Sequence, residues 1–147
     1  MTATAQPQVG PAFERLVLFD GVCNFCDDRM RWLLEHDRRR RLSFAALQGE
    51  TAAELRRRHP EIPDDIDTLV YVDASGGEER VYLRWEAAMR VWQEVEPERA
   101  LPRWLARLPR PLADVGYRIF ASLRYRLFGR RDECRVPTAE DRERYLP

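Results

Sequence analysis

Leu16-Val17-Leu18-Phe19-Asp20-Gly21-Val22-Cys23-Asn24-Phe25-Cys26 sets an apolar run, a turn signal and a cysteine pair in direct succession. The run Leu16 to Phe19 contains no polar residue, the pattern of a strand covered on both faces in a parallel sheet. Asp20-Gly21 stops it as a turn. From Cys23 to His36, apolar residues recur at Cys26, Met30, Leu33 and Leu34, a helical spacing. Asp27 and Asp28 fall in the first turn and Arg38 to Arg41 follow the end, both placements suiting the helix dipole. Leu42-Ser43-Phe44-Ala45-Ala46 then predicts a second strand. Strand, helix and strand in that order predict a right-handed parallel crossover.

Working outward, Gln48 to His59 favours helix, ended by Pro60 and Pro63. Thr68 to Asp73 reads as a strand, Ala74-Ser75-Gly76-Gly77 as a turn, and Arg80 to Arg84 as the returning strand of a hairpin. Trp85, Ala88, Met89, Trp92 and Val95 mark an amphipathic helix. The order β-α-β-α-β-β-α is that of a thioredoxin-like α/β core. From about residue 101 a helical extension follows, broken by Pro102, Pro109 and Pro111. Its longer helix carries the stripe Leu112, Val115, Ile119, Leu123 and Leu127, expected to pack on the core with arginines outward, and Gly129 as terminator. The expected organisation is a flexible leader over residues 1–14 and a single domain over 15–147.

Composition narrows the chemistry. All 25 basic residues are arginine, balanced by 25 acids. Without lysine there is no Schiff base, no pyridoxal-phosphate linkage and no phosphate loop with its lysine. The seven glycines form neither G-x-G-x-x-G nor G-x-S-x-G, so dinucleotide-binding and α/β-hydrolase motifs are missing. Apolar content of 44% against 34% charged describes a globular chain. Its apolar runs fall far short of the roughly 20 residues that cross a bilayer. Residues 1–13 lack both charge and an apolar core, unlike a secretory signal, so the expected location is cytoplasmic, where thiols are kept reduced. What remains is Cys23, Cys26 and Cys134.

A C-x-x-C that follows a strand and opens a helix has a specific chemical meaning. The first sulfur faces unpaired backbone N–H groups and the positive end of the dipole, which favour thiolate and lower the pKa below about 8.5. Thiolate is the attacking species in disulfide exchange. The second cysteine lies one turn on, within reach of the first. Cys23 is therefore read as the nucleophile and Cys26 as the resolving thiol. Arg29 and Arg31 support the thiolate while Asp27 and Asp28 oppose it. One alternative is half of a zinc site, for which a second C-x-x-C or C-x-x-H pair is missing, so that Cys134 and one histidine would have to complete it; another is a thioredoxin-like binding module with vestigial cysteines.

Asp20-Gly21-Val22-Cys23-Asn24-Phe25-Cys26 resembles the D-x-x-C-x-x-C signature of the thiol-disulfide oxidoreductase DCC family. The resemblance extends over residues 15–137, through Phe44 to Gln48, Thr68 to Asp73 and Tyr125 to Pro137. It implies a thioredoxin-like fold and thiol-disulfide exchange. Trp85 departs from it, standing where the family often has serine. Thioredoxins place a cis-proline just before the third strand; Asp67-Thr68 occupies that place here and Pro63 is the nearest proline. A narrower protein or small-thiol disulfide substrate is expected accordingly, with a separate reducing partner and no bound flavin or nicotinamide.

Other residues carry two readings each. Asp20 is a proton acceptor for the cysteine pair or a turn former; spacing favours the second and the resemblance the first. Cys134, among Arg130, Arg131 and Arg135, is a third redox partner or a buried small hydrophobe. Trp85 is core packing that lies near the site. His36 and His59 each close a helix and lack metal-ligand spacing. Residues 1–74 hold 10 basic and 13 acidic side chains, so the arginine runs at 38–41 and 56–58 are solvated helix ends, not a nucleic-acid surface. Residues 103–135 hold nine arginines against three acids, with aromatics interleaved. Contact with an anionic membrane surface is the second reading there, after packing on the core.

Overall fold

The apolar run forms β1 (Arg15–Phe19), buried at every position, in a computed structural model that describes residues 13–21, 24–64, 68–129 and 142–147. Because strand side chains alternate, β1 feeds two cores. Leu16 and Leu18 join Ala45, Leu47, Val70 and Val72 on one side. Val17 and Phe19 join Leu42, Phe44 and Tyr71 on the other. The unbroken apolar run Leu16 to Phe19 is thus explained by the absence of a wet face.

The chain continues through α1 (Asn24–His36), β2 (Leu42–Ala46), α2 (Glu50–Arg58), β3 (Val70–Asp73), β4 (Arg80–Leu83) and α3 (Arg84–Val95). Then come α4 (Leu101–Leu105), α5 (Arg110–Phe128), a single 3₁₀ turn at Arg142–Arg144, and β5 (Tyr145–Leu146). The sheet order is β4-β3-β1-β2-β5. β1 lies parallel to β2, with Val17 opposite Phe44, and antiparallel to β3, with Leu16 opposite Val72. β3 and β4 form the antiparallel hairpin. α2 closes one core with Ala52 and Leu55. α1 and α3 close the other with Met30, Leu33, Ala87 and Val91. This is a thioredoxin-like α/β arrangement, in the order its sequence pattern predicts.

Two features differ from that pattern. β5 pairs parallel with β2 at the sheet edge, Phe44 opposite Tyr145. Two residues are too few to show a period, so nothing in the sequence announces this strand. Arg144 pins it: its guanidinium donates to the Leu42 carbonyl at 3.1 Å and pairs with Asp37, whose carboxylate also accepts the Leu42 N–H at 2.9 Å. Thr51 donates its N–H to the Pro147 carbonyl at 2.8 Å. A Cβ on Gly49 would lie 3.1 Å from the Pro147 carbonyl carbon, so glycine lets the two segments meet.

The second difference corrects the expected orientation of α5. Its buried residues are Ala113, Ala121 and Arg124, while Leu112, Val115, Ile119, Leu123 and Leu127 are exposed. The helix packs beside α1 and α3 through small side chains that permit close approach, and it turns one arginine inward. Gly129 ends it at φ +85°, a left-handed conformation suited to glycine, with its N–H on the Tyr125 carbonyl at 2.9 Å.

Removing Arg144 strands the Asp37 carboxylate in a site that excludes most water. Arg144→Ala is expected to lower stability by about 3 kcal/mol in urea unfolding. A loss below about 1 kcal/mol would show the pair to be incidental.

Candidate functional site

Asp20 is the first residue past β1, and its side chain is fully shielded from solvent. A carboxylate can stay there only if its charge and lone pairs are satisfied. Arg124, on α5, supplies a guanidinium N–H at 2.7 Å and is itself 5% exposed. Gln48 donates its amide at 2.7 Å, and its carbonyl oxygen accepts the Gly21 N–H at 3.2 Å. Tyr125 donates its hydroxyl to the same carboxylate oxygen as Arg124. The end of β1, the segment after β2 and the C-terminal half of α5 therefore meet at one carboxylate.

Cys26 sits in the first turn of α1, half-buried against the core built on Val17 and Phe19. It acts electrostatically on both Arg124 and Tyr117. Burial alone would lower the Arg124 pKa, but Tyr125, Cys26 and Asp20 together push it up, so the guanidinium is a fixed positive charge beside the thiol. The Tyr117 hydroxyl accepts the Leu69 N–H at 2.8 Å. Burial, foremost, pushes the Tyr117 pKa up to about 12; Cys26 adds to the rise, and the Leu69 N–H, Arg124 and Arg84 oppose it. Tyr117 is consequently neutral at physiological pH.

Leu69 uses both backbone polar groups at this end of the sheet. Its carbonyl accepts the N–H of Arg84 at 2.8 Å. Arg84 opens α3 at φ +54°, a conformation costly for a residue with a side chain. Its charge reaches Tyr117. Thr68, at the position thioredoxins give to a residue beside the cis-proline, is buried.

Of the residues singled out by sequence, Asp20 bonds to Arg124, and Cys26 acts electrostatically on the same guanidinium. Cys23, Cys134 and Asp67 lie outside the described residues, as do Arg130, Arg131 and Arg135. Arg29 is exposed on α1. Trp85 spends its indole N–H on the Leu105 carbonyl at 2.8 Å, joining α3 to the end of α4. It lines a cleft of about 360 Å³ with Tyr82, Arg84, Leu108 and Asp114. His36 stacks on Trp32 and His59 faces Glu79 at 2.8 Å, both local roles. Among the described residues no three His, Cys, Asp or Glu side chains converge as a metal cluster.

Gln48, Tyr117, Arg124 and Tyr125 were not identified from the sequence as site residues. Their signal is the series Ala113, Tyr117, Ala121, Arg124, a helical face of small and polar residues beside the louder leucine stripe.

Arg124→Met leaves Asp20 buried without its cation and is expected to cost about 3 kcal/mol in urea unfolding, part of it recovered by adding Asp20→Asn. Alkaline stability offers a second check. The folded pKa of Tyr117 exceeds its ordinary value of 10, so its contribution is complete below pH 10 and is lost as pH rises towards about 12. Tyr117→Phe should flatten the fall of the urea midpoint across that window. An unchanged slope would remove Tyr117 as its source.

Comparison with known proteins supplies the context for this geometry. A family model described as DCC1-like thiol-disulfide oxidoreductase matches residues 17–130. The chain is 32% identical over 134 residues to an uncharacterised Bacillus subtilis (strain 168) protein, YuxK, covering 90% of this chain and 94% of that one. It is 35% identical over 122 residues to a chloroplastic DCC family protein of Arabidopsis thaliana, covering 82% of this chain and 69% of the plant protein. No solved structure gives a significant match.

Proposed function

The chain belongs to the DCC1-like thiol-disulfide oxidoreductase family, and from that membership we propose that it reduces disulfides through Cys23 and Cys26. The observation that carries the mechanism is the half-buried Cys26 in the first turn of α1, within electrostatic reach of a permanently charged Arg124. A helix N-terminus and a fixed cation both stabilise thiolate. The sequence holds no lysine, and the fixed cation in this reading is an arginine.

In the proposed cycle, Cys23 thiolate attacks one sulfur of a substrate disulfide. A Cys23–substrate disulfide forms and the other substrate sulfur leaves as thiolate. Cys26 thiolate then attacks Cys23 Sγ, releases the second substrate thiol and leaves a Cys23–Cys26 disulfide. Two electrons pass from the enzyme to the substrate, and solvent protonates the released thiolates. An external dithiol reverses the last step and restores the enzyme. Asp20 anchors Arg124 in this scheme, fixing the cation near the thiols. No helix of the described residues is long and apolar enough to cross a membrane, and we place the reaction in the cytosol, where a reducing pool can supply that dithiol.

Reduction of insulin, followed by turbidity, tests the cycle. Wild-type protein with dithiothreitol is expected to shorten the lag, Cys23→Ser to abolish the effect, and Cys26→Ser to trap substrate covalently on Cys23. Arg124→Met should slow alkylation of the motif by iodoacetamide at neutral pH. Cysteines that react no faster than a free thiol would sink the proposal. About one zinc per purified chain, without exchange activity, would point instead to a metal-stabilised binding module.

A further inference from the structure

Every large hydrophobic side chain exposed among the described residues lies between positions 101 and 128. On α5, Leu112, Val115, Ile119, Leu123 and Leu127 recur every three or four residues and so share one side of the helix. Ile119 is 56% exposed and Leu127 65%. Trp104 of α4, 66% exposed, adds its ring to the same end of the chain. The opposite side of α5 is occupied by the site through Tyr117, Arg124 and Tyr125. The apolar side is thus a second, separate face.

Its charge setting is one-sided. Residues 101–129 contain six arginines and one acid, Asp114. Arg124 turns inward to Asp20, Arg110 pairs with Glu86 of α3 at 3.1 Å, and Arg103, Arg107, Arg118 and Arg126 are exposed. Arg118 and Arg126 run along one margin of the stripe by helical spacing. A long amphipathic helix with arginines beside leucines and a neighbouring tryptophan suits the boundary between headgroups and acyl chains. At 19 residues, α5 offers a contact about 28 Å long.

We propose that this face docks on a phospholipid bilayer carrying anionic headgroups, with α5 lying in the plane of the interface. The apolar stripe enters the acyl boundary while the flanking guanidinium groups meet lipid phosphates. A second copy of the chain fits the face less well. A two-fold contact places the same surface opposite itself, setting arginine against arginine. The bilayer offers the opposite charge together with an apolar layer.

Sedimentation of the full chain with large unilamellar vesicles tests this directly. Binding to vesicles of phosphatidylcholine mixed with phosphatidylglycerol should exceed binding to phosphatidylcholine alone by about tenfold or more, and salt should weaken it. Ile119→Glu combined with Leu123→Glu, both at exposed positions, should reduce vesicle binding by about tenfold or more while the urea midpoint holds. Arg118→Glu with Arg126→Glu should abolish the preference for anionic lipid. Failure of the wild-type chain to sediment with either vesicle overturns the proposal and leaves the face to a protein partner. Binding that ignores the Ile119/Leu123 change also overturns it. So does a wild-type dimer, seen by equilibrium sedimentation, that the same double substitution dissolves.

Discussion

The pair formed by Asp20 and Arg124 is the interaction around which the molecule is organised. The carboxylate ends the central strand, and the guanidinium comes from the last long helix. Removing both charges from water is costly, and the cost is offset only by close contact and additional hydrogen bonds from Gln48 and Tyr125. That requirement dictates the pose of α5. For Arg124 to reach Asp20, the helix must turn its alanine and tyrosine side to the sheet, and the leucine stripe is left outside. Hydrophobicity alone would have rotated the helix the other way.

This explains which parts of the fold were legible in the sequence. β1, α1, β2, the β3–β4 hairpin and α3 obey periodicity, because their apolar residues are buried against one another. Leu16 to Phe19 could be read directly, since both faces of the strand are covered. α5 was located correctly and terminated correctly at Gly129, yet its inward face was misassigned. A hydrophobic pattern reports which residues avoid water in an isolated helix, and it does not register a carboxylate more than a hundred positions away. β5 was invisible for a different reason: its placement rests on Arg144 meeting Asp37 and on edge hydrogen bonds to β2.

The candidate site was legible in the same uneven manner. Cys26 and Asp20 stand in a contiguous motif whose strand-to-helix context could be read locally. Asp20 divided the local and the family readings, and the geometry gives it a partner neither had named: an arginine. The residues electrostatically coupled to Cys26, Arg124 and Tyr117, belong to the extension that follows the seven-element core. One helix thus carries Tyr117, Arg124 and Tyr125 on its inner side and an apolar stripe on its outer side.

The long separations within these pairs bear on how the chain is made. Asp20 and Arg124 are 104 positions apart, and Asp37 and Arg144 are 107 apart. A ribosome therefore releases the cysteine motif long before the arginine that accompanies it. Contacts of such range form late and slow the search for the native state. The nascent chain emerges with its cysteine motif before Arg124 is made. A chain truncated before residue 124 retains the motif and lacks the guanidinium that meets Asp20.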